Sequence, residues 1–184
     1  SGVDKAITDN FLAGLGAFIL ALEKGAPELV DEAKCLVREG MTACSDLNLV
    51  PQWWVHRVAI YLLDDLWAIS FHSNLPTLSD EEGAETWNKL RRHYLALLIR
   101  RQIAEIDLWP SQLEGARRSV QQSDDLVVSL PTSAGKTRIA ELCILRCLAA
   151  GNRVIFVTPL RALSAQTETG LQKTFAPLGK TVST

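Results

Sequence analysis

From Asp4 to about Asp107 the apolar positions recur every three or four residues, the period of an amphipathic helix. "DNFLAGLGAFILALEKG" sets Phe11, Leu15, Phe18, Ile19 and Leu22 at helical spacing, and Gly25 and Pro27 stop it. In "APELVDEAKCLVREGMTACSDL" the residues Leu29, Ala33, Leu36 and Val37 share a face, and Gly40 marks a break. "PQWWVHRVAIYLLDDLWAISF" opens on Pro51 and carries Trp54, Val58, Tyr61, Leu62, Leu66 and Ile69 as a stripe. Trp53, Trp54 and Trp67, at near-helical spacing, are expected in the core. After the polar loop "HSNLPTLSDEEG", a last helix runs from Ala84 toward Asp107, with Leu90, Tyr94, Leu97, Leu98 and Ile103 as its buried side.

The pattern then changes. "DLVVSL", "RVIFVTP" and "KTVST" are short runs rich in valine and isoleucine, each bounded by turn residues and separated by helical stretches. Strand, helix, strand, helix, strand is the signature of a parallel α/β unit. The expected organisation is an all-α N-terminal domain over 1–106 and an α/β part over 107–184. The helix Lys136 to Ala150 is apolar nearly all round, so it should be covered on more than one side, with Arg138, Glu141 and Arg146 left to face water.

Composition narrows the classes. With 184 residues, 47% hydrophobic and 22% charged, the chain is ordinary globular material. A net charge of -2 excludes bulk attraction to nucleic acid or anionic membrane, so any such binding must be local. The apolar run Phe11 to Leu22 is shorter than the roughly 20 residues of a membrane span and lacks a basic leader, so no membrane association is expected. Cys35, Cys44, Cys143 and Cys147 form no C-x-x-C pair, and His56, His72 and His93 are scattered, which argues against zinc and suits a reducing cytoplasm. The basic residues Lys89, Arg91, Arg92, Arg100 and Arg101 are flanked by Glu85 and Glu105, the pattern of a solvated face. The chain opens on Ser1-Gly2, and its sole methionine is Met41, so it reads as part of something longer.

The chemistry concentrates in "SLPTSAGKTRIAEL". Binding a triphosphate takes inward-pointing backbone N–H groups, a helix N-terminus and a cation in reach of the terminal phosphates. The small residues Thr132, Ser133, Ala134 and Gly135 follow the strand and Pro131, and they let amides approach phosphate closely. Lys136 would reach the β and γ phosphates, and the Thr137 hydroxyl would complete a Mg²⁺ shell. Arg138 extends this cofactor-binding set. Leu130 stands where the generic loop pattern has its first glycine.

"LPTSAGKT" resembles motif I of superfamily two helicases of the DExH/DEAD type, whose first position need not be glycine. "VIFVTPLRALSAQ" looks like motif Ia of the same helicases, which in that family touches the nucleic-acid backbone. Here Thr158, Pro159, Arg161 and Ser164 would do so, through hydroxyl donors, charge and the helix dipole. "LWPSQ" resembles the adenine-reading element: Gln112 lies 24 residues before Lys136, its amide can donate and accept as the adenine edge requires, and Trp109 could stack on the ring.

The resemblance covers Leu108 to Thr184 and implies the opening of a RecA-like lobe that binds ATP and Mg²⁺ and acts on DNA or RNA, as a single strand or a duplex with an overhang. The family's carboxylate pair, which holds Mg²⁺ and orients water, follows motif Ia. The acidic pairs here, Asp64-Asp65, Asp80-Glu81-Glu82 and Asp124-Asp125, all precede the phosphate loop. The expectation is the N-terminal part of an ATP-dependent helicase or translocase, of repair or antiphage-defence type, inactive as an ATPase by itself. A helical protein-interaction module, or a P-loop switch that does not unwind, are the alternatives.

Overall fold

The computed structural model describes residues 2–79, 83–121, 125–131 and 135–183. Eight α-helices among them follow in order: α1 (Gly2–Lys24), α2 (Pro27–Asp46), α3 (Val50–Ile69), α4 (Phe71–Asn74), α5 (Ala84–Ile99), α6 (Pro110–Arg118), α7 (Lys136–Ala149) and α8 (Arg161–Phe175), with a 3-10 turn at Ala176–Leu178. The chain divides into two compact units. One comprises Ser1–Ser73 and Ile99–Asp107, the other Asn74–Leu98 and Leu108–Thr184. Composition alone put the change near Ala104 to Trp109; by contacts, nearly all of α5 falls in the second unit.

In the first unit α2 packs between α1 and α3. Phe18, Ala21 and Leu22 of α1, Val30, Ala33 and Val37 of α2, and Ala59 and Leu63 of α3 form its core. α1 meets α2 closely at Gly14, where a Cβ would lie 2.8 Å from Val37 Cγ2 and 3.0 Å from the Ala33 carbonyl oxygen. Gly40 does not break α2. It is buried in the helix where a Cβ would stand 2.6 Å from His56 Nε2, so the small residue serves close packing rather than termination. α1 is 23 residues long, and by length and composition alone it could cross a membrane; here it buries Ile7, Gly14, Phe18, Ala21 and Leu22.

Most of the stripe read along α3 faces outward, and of its members Leu66 packs against the core. His56, Ala59 and Leu63 form its buried side, whereas Trp54, Val58, Tyr61 and Leu62 are each more than half exposed. Trp54 therefore leaves the expected core. α3 is apolar all round, and periodicity cannot tell which side of such a helix meets its neighbour. The return segment closes the unit: the Phe71 amide donates to the Ile106 carbonyl at 3.0 Å, and Ser70 and Asp107 form an isolated antiparallel bridge. Ile103, expected on a buried helical face, lies past the end of α5 and is exposed.

In the second unit α5 buries Trp87, Tyr94 and Leu98, α7 buries Ile139, Leu142 and Leu145, and α8 buries Phe175. Gly115 of α6 sits where a Cβ would be 2.6 Å from Ile139 Cδ1, so α6 and α7 approach closely. No strand ladder forms among the described residues. The runs expected as strands, 125–130, 153–159 and 180–183, lie outside helices and ladders; Val127 is 91% and Ile155 88% exposed, whereas Leu126, Val128, Leu130 and Val182 are half-buried. A strand is completed by its neighbour's hydrogen bonds, and among the described residues none of these runs is paired with another.

α7 departs from expectation in an instructive way. It is covered on several sides, as its apolarity requires, but Glu141 and Arg146 are buried rather than facing water. Each is satisfied inside: Arg146 Nε donates to the Val120 carbonyl at 2.9 Å, and Glu141 is held by three partners described below. Arg91 is likewise buried and not part of a solvated basic face. Its Nε donates to the Leu75 carbonyl at 3.0 Å, and burial lowers its pKa to about 10, which leaves it charged at neutral pH.

Candidate nucleotide and nucleic-acid site

Three separated stretches meet at the start of α7. Gly135 precedes the helix in the left-handed conformation, φ 79°, ψ 27°, which a glycine adopts without a Cβ penalty. A Cβ there would overlap Gln112, 1.6 Å from its Nε2. Gln112, buried on α6, donates through Nε2 to the Gly135 carbonyl at 3.2 Å and accepts through Oε1 from the Trp109 amide at 2.9 Å. Each end of the amide retains further capacity, one N–H and one lone pair. Trp109 is 62% exposed beside it. The structure thus brings Gln112, bonded to the Trp109 amide, against Gly135.

Lys136 and Thr137 open α7 with their side chains exposed, and Lys136 Nζ donates to the Leu130 carbonyl at 2.8 Å. That contact brings the two ends of the loop together beneath the helix N-terminus, where backbone N–H groups and the helix dipole favour an anion. Pro131 is exposed. Thr132, Ser133 and Ala134, also expected to bind phosphate, lie outside the described residues. The fit to a magnesium nucleotide therefore rests on the glycine cradle, the exposed ammonium of Lys136, the exposed hydroxyl of Thr137, and Gln112 with Trp109.

Arg138 is placed differently from Lys136 and Thr137. Its Nη1 donates to Tyr94 Oη at 2.8 Å and forms an ion pair with Glu141 Oε2. Tyr94 Oη donates to the same carboxylate oxygen at 2.8 Å, and Thr174 Oγ1 donates to Glu141 Oε1 at 3.1 Å. One buried carboxylate thus ties together α5, α7 and α8. Burial first, then the Glu141 charge, pushes the Tyr94 hydroxyl well above its ordinary range, so it stays protonated and donates. Sequence reasoning missed Tyr94 and Glu141. The available signal was a glutamate three residues after an arginine on an otherwise apolar helix.

At the start of α8, Thr158 and Ser164 come together with their hydroxyls in contact, and both Oγ atoms lie near the Leu160 carbonyl, at 3.5 and 3.4 Å. Pro159 and Arg161 are exposed alongside. The four residues expected to touch a nucleic-acid backbone therefore form one edge at a helix N-terminus. Thr158 and Ser164 also line a cavity of about 730 Å³, together with Ile144, Phe156, Leu171 and Val182.

Two of the three histidines meet backbone carbonyls, and His93 is exposed. His56 Nδ1 lies 2.8 Å from the Gln52 carbonyl oxygen, and His72 Nε2 lies 2.6 Å from that of Leu22 while its ring stacks on Trp67. Among the described residues no group of three metal-ligating side chains comes together.

Residues 109–184 match the model of the DEAD/DEAH box helicase family. Over this part the chain is similar to the helicases of that family. Over 98% of its length the chain is 28% identical to the Hachiman protein HamB of Bacillus cereus. It is 35% identical over 60 residues, 33% of the chain, to the ATP-dependent DNA helicase Hel308 of Methanocella arvoryzae, and 32% identical over 117 residues, 57% of the chain, to the DExH-box ATP-dependent RNA helicase DExH15 chloroplastic of Arabidopsis thaliana. The chain spans only 16%, 8% and 10% of the lengths of these three relatives. The match to HamB takes in the N-terminal helices, which the helicase family model leaves out.

Proposed function

We propose that the chain is the N-terminal part of an ATP-dependent nucleic-acid helicase or translocase, supplying the nucleotide cradle and one nucleic-acid edge of a RecA-like lobe. In this reading the helices up to residue 106 are an accessory domain, and the runs 125–130, 153–159 and 180–184 belong to the lobe's parallel sheet. The observation that carries it is the contact of Gln112 with Gly135, which joins an adenine-reading glutamine to the phosphate loop at the N-terminus of α7. Gln112 and Trp109 hold the base. The loop amides from Pro131 to Gly135, with Lys136, hold the phosphates, Thr137 contributes its hydroxyl to Mg²⁺, and Arg138 braces the first turn of α7 through Glu141. The bound magnesium would neutralise charge on the phosphates. Thr158, Pro159, Arg161 and Ser164 hold the backbone of a DNA or RNA strand, positioning it without reading sequence.

The relatives named for DNA and RNA helicases support a nucleic-acid substrate, and the likeness to a Hachiman protein over 98% of this chain supports antiphage defence over repair. Four free cysteines support a cytoplasmic setting. The family's acidic pair has no counterpart after Ser164, so turnover by this chain alone is not expected. Titration of the chain with a fluorescent ATP analogue and Mg²⁺ tests the reading: Lys136→Ala should weaken binding by at least about tenfold, the equivalent of one lost charge-assisted contact. Equal affinity of the two proteins would remove the nucleotide site. A second reading, a helical protein-interaction module, is favoured by one observation, the outward apolar face of α3.

A further inference from the structure

α3 is apolar on both sides. Its inner side packs on α2 and its outer side packs on nothing within the first unit. A helix of this kind is ordinarily buried all round. The outer stripe runs from Trp54 through Val58, Tyr61 and Leu62 to Ile69, about 22 Å at the helical rise per residue. The residue types are those that dominate protein–protein hot spots: tryptophan, tyrosine, and an arginine held over aromatic rings. The Arg57 guanidinium lies 5.1, 5.8 and 5.9 Å from the ring centroids of Trp53, Trp54 and Tyr61.

Charge on this face identifies the occupant. Asp65 interrupts the stripe near its middle and is exposed; its neighbour Asp64 is paired with Lys34 at 2.9 Å. Arg57 lies two turns before Asp65, and the midpoint of the stripe falls between Tyr61 and Leu62. Turned antiparallel about that midpoint, the face is complementary to itself. Trp54 comes level with the partner's Ile69, Tyr61 with the partner's Leu62, and Arg57 within one residue of level with the partner's Asp65. We propose that α3 is the face on which two copies of this chain associate through a two-fold axis, with an Arg57–Asp65 pair on either side. A nucleic acid or anionic membrane fits poorly here, because Arg57 is balanced by Asp65 and Lys34 is taken up by Asp64, which leaves no excess of positive charge. A two-fold contact closes on itself and needs no second patch. The proposal rests on the first unit alone and is independent of the nucleotide site.

Sedimentation velocity of the whole chain up to ~100 μM tests it. The wild type should shift from monomer toward dimer, and Val58→Glu should remain monomeric with unchanged helical circular dichroism. Arg57→Glu alone and Asp65→Lys alone should each lose dimer by at least about tenfold. Mixed in equal amounts, these two should recover it as a heterodimer, because both cross-pairs are then opposite in charge. Arg57 and Asp65 are exposed, so these variants fold even should Val58→Glu fail. A wild type that stays monomeric, one that forms open-ended assemblies, or a mixture that does not associate would each overturn the proposal.

Discussion

In the unit of residues 1–73 and 99–107 the buried side chains are nearly all hydrocarbon; in the unit of 74–98 and 108–183 charged and polar groups sit equally deep. The first unit's polar exceptions are Ser70 and His56, whose Nε2 has no hydrogen-bond partner. The second buries Arg91, Gln112, Glu141, Arg146 and Thr174, each bonded to a side chain or to the backbone of a loop. Three helices that pack on one another need only a matching apolar face. A unit that must hold loops and a helix start in place for ligands needs directional bonds at defined points, and a buried bond is directional where a methyl contact is not.

Breaking the deepest of these bonds should have the largest effect. Glu141→Ala removes the buried carboxylate to which Arg138, Tyr94 and Thr174 all bond, and should cost the second unit about 3–5 kcal/mol. Urea denaturation followed by near-ultraviolet signals would measure it, and a loss below about 1 kcal/mol would show that the network is ornamental. In the first unit the matching lesion is a cavity. Leu63→Ala removes a side chain that is 2% exposed and should cost about 3 kcal/mol. The contrast sharpens on the nucleotide side: Leu63→Ala should leave affinity for the ATP analogue unchanged, whereas Glu141→Ala should lower it, because Arg138 braces the turn that carries Lys136.

The fold was legible wherever one side of a helix is apolar and the other polar. The α1 and α2 boundaries follow from Gly25, Pro27 and the spacing of Phe18, Leu22, Ala33 and Val37. α3 was not legible, since both of its sides are apolar and the chain alone cannot say which one meets α2. The charges of α7 misled for a related reason: Glu141 and Arg146 look like solvent anchors on a helical wheel, and their partners, Tyr94 and Val120, are distant in sequence. The runs 125–130 and 153–159 show the limit of composition, because valine and isoleucine favour strands but only a neighbour makes one. At the site, Gln112 and Gly135 could be paired from motif resemblance, whereas the Tyr94–Glu141–Thr174 bracket depends on tertiary contact and has no local pattern.

A smaller effect tests the contact between α6 and the phosphate loop. Gly135→Ala forces a side chain onto a left-handed residue and into Gln112, so it should cost about 1–2 kcal/mol in stability. The lost affinity for ATP should be the larger change, because Gln112 must swing away from the adenine position. If Gln112→Ala in the same background restores stability but not affinity, the clash lies where the distances place it. Unchanged affinity in Gly135→Ala alone would detach Gln112 from the nucleotide.

The smallest stability effect should belong to the residue with the largest role in binding. Lys136 Nζ meets the Leu130 carbonyl at 2.8 Å in an exposed position, where water replaces the lost partner at little cost. Lys136→Ala should therefore shift the unfolding free energy by no more than about 0.5 kcal/mol, while it removes the cation nearest the phosphates. The same bond must break or be shared when phosphate arrives, so nucleotide binding should release the Leu130 carbonyl and slow amide exchange across the loop that follows. A Lys136→Ala variant that unfolds readily would mean that the lysine serves the fold, and the difference between a unit built for packing and one built for ligands would not extend to this loop.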